Sequence, residues 1–283
     1  MKILHTADWH LGQTFYEYDR REEHFHFLEW LKQQIKQHEI DVLLIAGDVF
    51  DSPNPSAESQ RVYYRFLREV TSENPSLQIV IIAGNHDSAA RLEAPNPLLE
   101  DMNIIVRGTV RRNAEGDIDL QHFIVPLYTE GKVTAYCLAV PYLRQGDYPS
   151  AENYSKGVQQ LYEQLFNKVK EKGIPVVVMG HLQATGSEIS EDDRSERTVT
   201  GGLECVSPDA FNEAITYTAL GHLHRSQRVS HRENVRYSGT PMPMSFAEKN
   251  NASGVVMITI DTEGTNIEKL EFQPLAGLVR SEE

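Results

Sequence analysis

The fold is decided by one stretch of nine residues, Ile79-Val80-Ile81-Ile82-Ala83-Gly84-Asn85-His86-Asp87. Its first five residues form a continuous apolar run, which is typical of a strand that is buried on both faces. The glycine that follows lets the backbone turn sharply and lets another group approach it closely. We therefore predict a buried strand that ends in a loop carrying polar, metal-binding side chains.

The same pattern occurs at three other places in the chain. These are Val42-Leu43-Leu44-Ile45-Ala46-Gly47-Asp48, Val176-Val177-Val178-Met179-Gly180-His181 and Tyr217-Thr218-Ala219-Leu220-Gly221-His222-Leu223-His224. A fifth example, Ile3-Leu4-His5-Thr6-Ala7-Asp8-Trp9-His10, lacks the glycine before its polar residues. Because α/β folds collect ligands at the ends of their strands, the five loops are predicted to form one site.

Helical patterns lie between these strands, and the alternation of strands and helices favours an α/β layer fold. The sequence predicts a mixed sandwich of two sheets with helices outside, folded as one catalytic domain over residues 1–275. The final strands are predicted to belong to a mostly antiparallel sheet. The predicted helices cover residues 20–38, 56–70 and 151–172, region 104–140 contains short strands around a turn at 113–117, and the final strands cover 234–237, 254–261 and 267–272.

The composition is that of a globular protein, with 40% hydrophobic and 24% charged residues. No apolar run reaches the ~18 residues of a membrane span, and the first residues do not resemble a secretory signal. The presence of only two cysteines, Cys137 and Cys205, argues against a disulfide framework and favours a cytoplasmic location. The net charge of −14 argues against a nucleic-acid substrate. Divalent cations or a basic partner can offset it, so charge leaves the substrate open.

The polar residues at the strand ends predict a centre with two divalent metal ions. Carboxylate, imidazole and amide ligands suit Mn²⁺, Fe²⁺ or Zn²⁺ better than Ca²⁺. Seven groups are too many for one tetrahedral site and fit two metals with one bridging carboxylate, for which Asp48 is the best candidate. The predicted ligands are Asp8, His10, Asp48, Asn85, His181, His222 and His224.

The charge balance of this centre favours phosphate chemistry. Two divalent metals bring four positive charges and two carboxylates remove two, so the centre attracts phosphate oxygens and can activate a water. His86 is the spare imidazole and is predicted to protonate the leaving oxygen. Asp87 is predicted to orient a neighbouring histidine.

Other polar and aromatic residues have simpler interpretations. Trp9 and Phe50 are predicted to pack in the site wall rather than to read the substrate, and Tyr63 and Tyr64 to be amphipathic-helix residues. The charged loop 183–202 is predicted to be a solvated excursion, with substrate gating as the alternative. The remaining histidines are predicted to be core or surface residues: His5, His24, His26, His38, His122 and His231.

The ordered set Asp-x-His, Gly-Asp, Gly-Asn-His-Asp, Gly-His and Gly-His-x-His resembles the calcineurin-like metallophosphoesterase superfamily over residues from 3 to about 260. Within it, residues 5–12, 47–51, 221–225 and 235–246 are similar to the SbcD family of nuclease subunits. The resemblance implies a four-layer α/β/β/α sandwich. It also implies one metal held by Asp8, His10, Asp48 and His224, a second held by Asp48, Asn85, His181 and His222, and His86 as the general acid.

The same resemblance implies Mn²⁺ as the working metal and DNA as the substrate. The implied activities are a 3′-to-5′ double-strand exonuclease and an endonuclease on single strands and hairpins, in DNA repair and recombination. A homodimer, with the 56–70 helix as a candidate contact, and an SbcC-like SMC ATPase partner are also implied. The family continues into a capping domain and an SbcC-binding segment, so residues 276–283 are predicted to begin a linker to parts that this chain lacks.

Two other functions stay open on sequence grounds. The acidic net charge is compatible with a phosphatase or phosphodiesterase that acts on small phosphoesters with the same metal centre. A non-catalytic binding or dimerisation protein is the third hypothesis, but the complete ligand set argues against it.

Overall fold

The protein is described by a computed structural model that covers residues 1–187 and 205–278. Strands and helices are numbered in chain order. The first sheet contains β1 (Lys2–Thr6), β4 (Val42–Ala46), β5 (Gln78–Ile82), β6 (Ile104–Arg107), β13 (Gly254–Asp261) and β14 (Gly264–Glu271). Its spatial order is β14-β13-β1-β4-β5-β6. The last four strands in this order are parallel, and β13 is antiparallel to both β1 and β14.

The second sheet is also mixed and also has six strands. These are β7 (Ile124–Thr129), β8 (Lys132–Ala139), β9 (Val176–His181), β10 (Tyr217–Gly221), β11 (Gln227–Val229) and β12 (Arg232–Tyr237). The order is β11-β12-β10-β9-β8-β7, in which the four central strands are parallel and the two edge strands antiparallel. The prediction of antiparallel pairing for the final strands is confirmed for β13 and β14 and wrong for the pairing of β12 with β10. β12 lies parallel to β10, while β13 and β14 join the other sheet, because strand patterns carry no information about the partner strand.

The two sheets pack face to face, and their inner side chains form a common core. Ile3, Leu44 and Val80 of the first sheet belong to the same buried cluster as Val177 and Ala219 of the second. All five side chains are fully buried. This double coverage is the reason why the strand sequences are continuous apolar runs rather than alternating ones.

Helices cover the outer face of each sheet, which confirms the four-layer α/β/β/α arrangement. The long helices are α1 (Arg21–His38) and α2 (Ala57–Glu73) on the first sheet and α6 (Tyr154–Val169) on the second; the short ones are α3 (Ala89–Glu93), α4 (Asn96–Leu99) and α5 (Leu120–Phe123). Ser56 begins α2 and Asn153 begins α6, because each side chain accepts a hydrogen bond from the first turn. The helix predicted over 151–172 is shorter than expected, since Lys170–Lys172 forms a 3₁₀ turn that ends at Gly173 with φ 67°.

The parallel register aligns the ends of neighbouring strands. Ala46 at the end of β4 lies opposite Ile82 at the end of β5, and His181 at the end of β9 lies opposite Gly221 at the end of β10. The loops that follow therefore leave both sheets at one edge.

A small hairpin, β2 (Thr14–Phe15) and β3 (Tyr18–Asp19), follows the first of these loops. In the described part of the chain, no helix is long and apolar enough to cross a membrane. Both cysteines are free thiols. Most of the predicted excursion 183–202, and residues 279–283 of the predicted linker, lie outside the described residues.

Candidate metal centre

The structure brings all seven predicted ligands together at the shared edge of the two sheets. Asn85 connects the sheets, because its side-chain oxygen is 2.9 Å from His181 Nε2 and 3.1 Å from His222 Nδ1. His181 Nε2 is also 3.3 Å from Asp48 Oδ2. One cluster thus contains ligands that follow β4, β5, β9 and β10.

The remaining ligands continue the same cluster. His10 Nε2 is 3.2 Å from His224 Nε2 and 3.8 Å from Asp48 Oδ2. The backbone N–H of His222 donates to Asp8 Oδ1 at 3.0 Å. Most of these side chains are almost completely buried; Asp8, for example, has no exposed surface.

Four ligands lie in sharp turns rather than on extended strands. Asp8, His10, Asp48 and His222 have φ values of 55°, 46°, 49° and 100°, in the left-handed region. Asp8 and His10 do not lie on an extended strand, because β1 already ends at Thr6. The left-handed residues fold the loop back on itself, so the ligands still converge. Such strained backbone is common at functional sites.

Three of the glycines at the strand ends leave room for the ligands and the neighbouring backbone to approach one another closely. A Cβ atom on Gly84 would lie 2.0 Å from Asp48 Oδ1, and one on Gly47 would lie 2.2 Å from His181 Nδ1. A Cβ atom on Gly221 would lie 2.0 Å from the carbonyl oxygen of Ala46. Any larger residue at these positions would displace a ligand or its support.

Two histidines have their ring orientation fixed from outside the cluster. His181 Nδ1 donates to the carbonyl oxygen of Ala46 at 2.8 Å, and His224 Nδ1 donates to Glu248 Oε1 at 3.0 Å. In both rings the Nε2 lone pair is therefore directed into the cluster. Glu248 is buried and also accepts the backbone N–H of Met244. Sequence reasoning missed Glu248, because it follows His224 by 24 residues without any recognisable spacing.

The side chain of His86 is positioned by the loop after β4. Its Nδ1 donates to the carbonyl oxygen of Asp51 at 2.9 Å, and its backbone N–H donates to Asp48 Oδ1 at 2.9 Å. The carboxylate of Asp51 lies 3.3 Å from His10 Nδ1. Asp51 thus supports two histidines, a role that sequence reasoning did not assign to it.

Asp87 has a different role from the predicted one. Its carboxylate accepts backbone N–H groups from Gly84, Val49 and Phe50 at 2.9, 3.2 and 3.0 Å. It therefore ties the loop after β5 to the loop after β4 instead of orienting a histidine.

The charged groups inside the cluster shift one another's pKa values. Burial lowers the pKa of His181, but the neighbouring carboxylate of Asp48 raises it to about 9. Burial also disfavours the charged form of Asp48, yet the charge of His181 holds the pKa of this carboxyl well below its usual range. Burial raises the pKa of Asp8 to about 6. A buried carboxylate stays ionised only when a cation lies nearby, and this requirement is compatible with a binding site for metal ions.

The donor groups fit divalent metal ions. Ligand atoms lie within 4.8 Å of one another in three overlapping groups: Asp8 with His10 and His224, His10 with Asp48 and His86, and Asp8 with Asp48 and His181. At His181 of the last group, the Nε2 lone pair meets the oxygens of Asp48 and of the neighbouring Asn85, and only a cation or a proton can satisfy them together. Asp8, His10 and Asp48 each belong to two of these groups, and the bridging role of Asp48 stays a prediction.

The aromatic residues next to the ligands serve packing. Trp9 is fully buried, donates through Nε1 to Thr6 and packs edge-on against Phe66. Phe50 packs against the buried Tyr63. The predicted packing of Trp9 and Phe50 is confirmed, and the prediction that they do not read the substrate stays a prediction.

Comparison with known proteins identifies the family. The sequence pattern of the calcineurin-like phosphoesterases matches residues 1–226, a span that contains every predicted ligand. The chain belongs to the calcineurin-like phosphoesterase family. Membership in this family, together with the clustered donors, indicates that this phosphoesterase binds divalent metal ions.

Two relatives are named as the SbcD subunit of the SbcCD nuclease. The Rhodobacter capsulatus protein is 40% identical over 272 residues, which cover 92% of this phosphoesterase and 66% of the relative. The Escherichia coli protein is 31% identical over 296 residues, covering 98% of this chain and 70% of the relative. The chain thus spans about two thirds of the length of these relatives. The resemblance to the SbcD family is confirmed.

One solved structure supports the fold. GAP50, the anchor in the inner membrane complex of Plasmodium, superimposes with a TM-score of 0.55 at 10% identity. The match covers 96% of this phosphoesterase and 84% of that chain. At this identity the likeness concerns the fold alone.

Proposed function

We propose that this phosphoesterase is a DNA nuclease of the SbcD type, which hydrolyses phosphodiester bonds at a centre of two divalent metal ions. The observation that carries the proposal is the convergence of seven donor side chains from both sheets on one edge. The names of the relatives, which are nuclease subunits, support DNA as the substrate. We further propose Mn²⁺ as the working metal, as the resemblance to the SbcD family implies; the mixture of imidazole and carboxylate donors is compatible with this ion.

The ligands divide between two positions. Asp8, His10 and His224 would hold one metal, Asn85, His181 and His222 the other, and Asp48 would be shared. When bound, the two ions supply positive charge for the phosphate oxygens and lower the pKa of a water that attacks phosphorus. Glu248 and the carbonyl of Ala46 fix the rings of His224 and His181, so that their Nε2 atoms are already directed inwards. Such preorganisation lowers the cost of assembling the site.

His86 is proposed as the proton donor. Because Nδ1–H of His86 donates to the carbonyl oxygen of Asp51, Nε2 is the ring nitrogen that can gain or lose a proton. In the protonated ring, Nε2–H donates its proton to the oxygen that leaves phosphorus. His86 is only half-buried, whereas His10 beside it is buried. This exposure suits a group that must reach the substrate and regain a proton from solvent.

The test is a hydrolysis assay with each divalent metal. Labelled duplex, single-stranded and hairpin DNA are compared with p-nitrophenyl phosphate and bis-p-nitrophenyl phosphate. We expect Mn²⁺-dependent cleavage of DNA and of the diester, with little turnover of the monoester. Rapid turnover of the monoester without DNA cleavage would replace the nuclease by a phosphatase.

Variants test the assigned roles. We expect His86→Ala to retain bound metal and lose most cleavage, and Asp48→Ala to lose both. Metal analysis of the purified variants distinguishes the roles, because loss of metal from the His86 variant would make His86 a ligand.

Two assembly proposals accompany the activity. The relatives are named as subunits of SbcCD, which supports an SbcC-like ATPase as a partner. Self-association into a homodimer through α2 is the second proposal. Light scattering on the purified chain, alone and with such an ATPase, tests both.

A further inference from the structure

The hairpin between His10 and α1 has an unfavourable turn. Phe15 pairs with Tyr18, so Tyr16 and Glu17 form a two-residue connection, with φ values of 47° and 67°. A turn with two left-handed residues strongly prefers Asn-Gly, because larger side chains are strained in this conformation. Tyr and Glu at these positions make the hairpin less stable than it could be. Strain of this kind is a reason to look for a function.

The strained turn exposes an aromatic surface. Tyr16 is 80% exposed and Phe246, from a distant part of the chain, is 39% exposed. Their ring centroids are 5.6 Å apart, and the ring of Phe15 lies 5.0 Å from Tyr16 and 5.2 Å from Phe246. We call Phe15, Tyr16 and Phe246 the aromatic platform. Three clustered rings that face solvent are unfavourable in the absence of a ligand.

A buried arginine holds the aromatic platform together. Arg20 is 3% exposed, and its Nη1 donates to the carbonyl oxygen of Pro243 at 2.6 Å and to Gln13 Oε1 at 2.9 Å. The guanidinium also forms an ion pair with Glu23 and lies 5.6 Å from the centre of the Phe15 ring. The hairpin is thereby fixed to the segment that carries Phe246. The platform is a built feature of the fold.

Both segments of the platform are attached to ligands of the metal centre. The hairpin starts four residues after His10, and Phe246 precedes Glu248, the partner of His224, by two residues. His10 and His224 themselves are in contact. The aromatic platform is therefore connected by short stretches of chain to the part of the centre that contains these two histidines.

We propose that the aromatic platform stacks an unpaired nucleobase of the DNA strand whose backbone enters the metal centre. This inference rests on the proposed nuclease function and adds a binding site for the base. Aromatic rings stack on every base, so the platform would bind an unpaired base of any identity. A nucleobase fits better than a protein partner, because three rings are far smaller than the ~800 Å² that each side of a stable protein interface buries.

The experiment compares normal and abasic DNA of the same length. Wild-type protein with Mn²⁺ should cleave a normal single strand with a lower KM than an oligonucleotide whose bases are replaced by abasic sites. Tyr16→Asn should raise the KM for normal DNA at least about fivefold, the lower end of the effect of losing one base–aromatic stack. It should leave the KM for abasic DNA unchanged. Tyr16→Trp should keep the wild-type preference.

A measurement of the unfolding temperature distinguishes a binding role of Tyr16 from a structural one. Because Asn is favoured in this turn, Tyr16→Asn should unfold at the same or a higher temperature than wild type. Phe246→Ala removes a ring from the other segment and should produce the same loss of preference. Tyr128→Asn is the matched control, because Tyr128 is a tyrosine on β7 that is 44% exposed. Its backbone N–H donates to Gln78 at the start of β5, whereas the metal centre follows the end of that strand.

A second measurement does not depend on hydrolysis. A strand with terminal 2-aminopurine should lose fluorescence when it binds the protein in EDTA, and Tyr16→Asn should abolish this quenching. If Tyr16→Asn and Phe246→Ala both retain the preference and the quenching, the inference is wrong. A changed oligomeric state in Tyr16→Asn with unchanged base preference would also overturn it in favour of a second copy as the occupant. If wild type cleaves neither substrate, the nuclease proposal itself fails.

Discussion

Gly84 offers the sharpest test of how this centre is assembled. The residue has an ordinary φ, so replacement by alanine introduces no backbone strain, only one methyl group. That methyl carbon would lie 2.0 Å from Oδ1, 2.3 Å from the backbone nitrogen and 2.6 Å from Cγ of Asp48. All three atoms belong to the predicted bridging ligand, so the added volume acts on a single residue.

The size of the effect follows from these distances. Contact at 3.0 Å is already tighter than almost any real Cβ contact, so the carboxylate must move by about 1 Å. It cannot move freely, because the backbone N–H of His86 holds Asp48 Oδ1 at 2.9 Å. Metal–ligand distances tolerate only about 0.2 Å. A displacement of about 1 Å should therefore lower activity by ~100-fold or more. Overpacking should lower the free energy of unfolding by about 1–3 kcal/mol.

Bound metal, kcat and urea unfolding are measured for Gly84→Ala and for Gly277→Ala. The second variant is the control, because a methyl group on Gly277 meets no atom within 4 Å. We expect Gly84→Ala to bind Mn²⁺ weakly and cleave slowly while it remains folded, and Gly277→Ala to match wild type. Wild-type metal content and kcat in Gly84→Ala would refute the claim that the close approach of β5 positions Asp48.

Three further predictions concern the supports of the centre. Glu248→Gln should weaken Mn²⁺ binding by about 10- to 100-fold in a metal titration, because His224 loses its charged partner, whereas the exposed Glu263→Gln should have no effect. Asp87→Asn should lower the free energy of unfolding by about 1–3 kcal/mol, since three backbone donors lose a shared carboxylate; an unchanged urea midpoint would contradict this. In EDTA, the raised pKa of His181 stabilises the folded protein fully below about pH 6.5, and this stabilisation is lost as the pH rises through about 9. The melting temperature should therefore fall over this range, and Mn²⁺ should make it depend less on pH. An equal dependence with and without metal would argue against competition between metal and proton.

The sequence predicted which donor side chains converge because each of them lies at, or within a few residues after, the end of a recognisable strand. Asp48 and Asn85 each come after an apolar run and a glycine, and parallel strands bring such positions to one edge. The arrangement of two sheets with helices outside was predictable from the apolar strands. Continuous apolar strands require cover on both faces, and the helices at 20–38 and 56–70 provide it.

The features that were missed depend on contacts between distant segments. Glu248 supports His224 from a 3₁₀ turn that has no periodic signal, and the strand partners of β12 depend on packing. The hairpin at 14–19 was missed because its strands have two residues each and its turn contains Tyr16 and Glu17 instead of Asn-Gly. The division of the chain at residue 275 stays a prediction.

The order of the ligands along the chain has a consequence for biosynthesis. Asp8 is translated 214 residues before His222, so the cluster stays incomplete until His222 and His224 have been made. β1 must also wait for β13, its neighbour in the finished sheet. A nascent or proteolytically shortened chain that ends before residue 222 therefore has an incomplete centre. We therefore expect no hydrolysis by an unfinished chain until His222 and His224 have joined the other ligands.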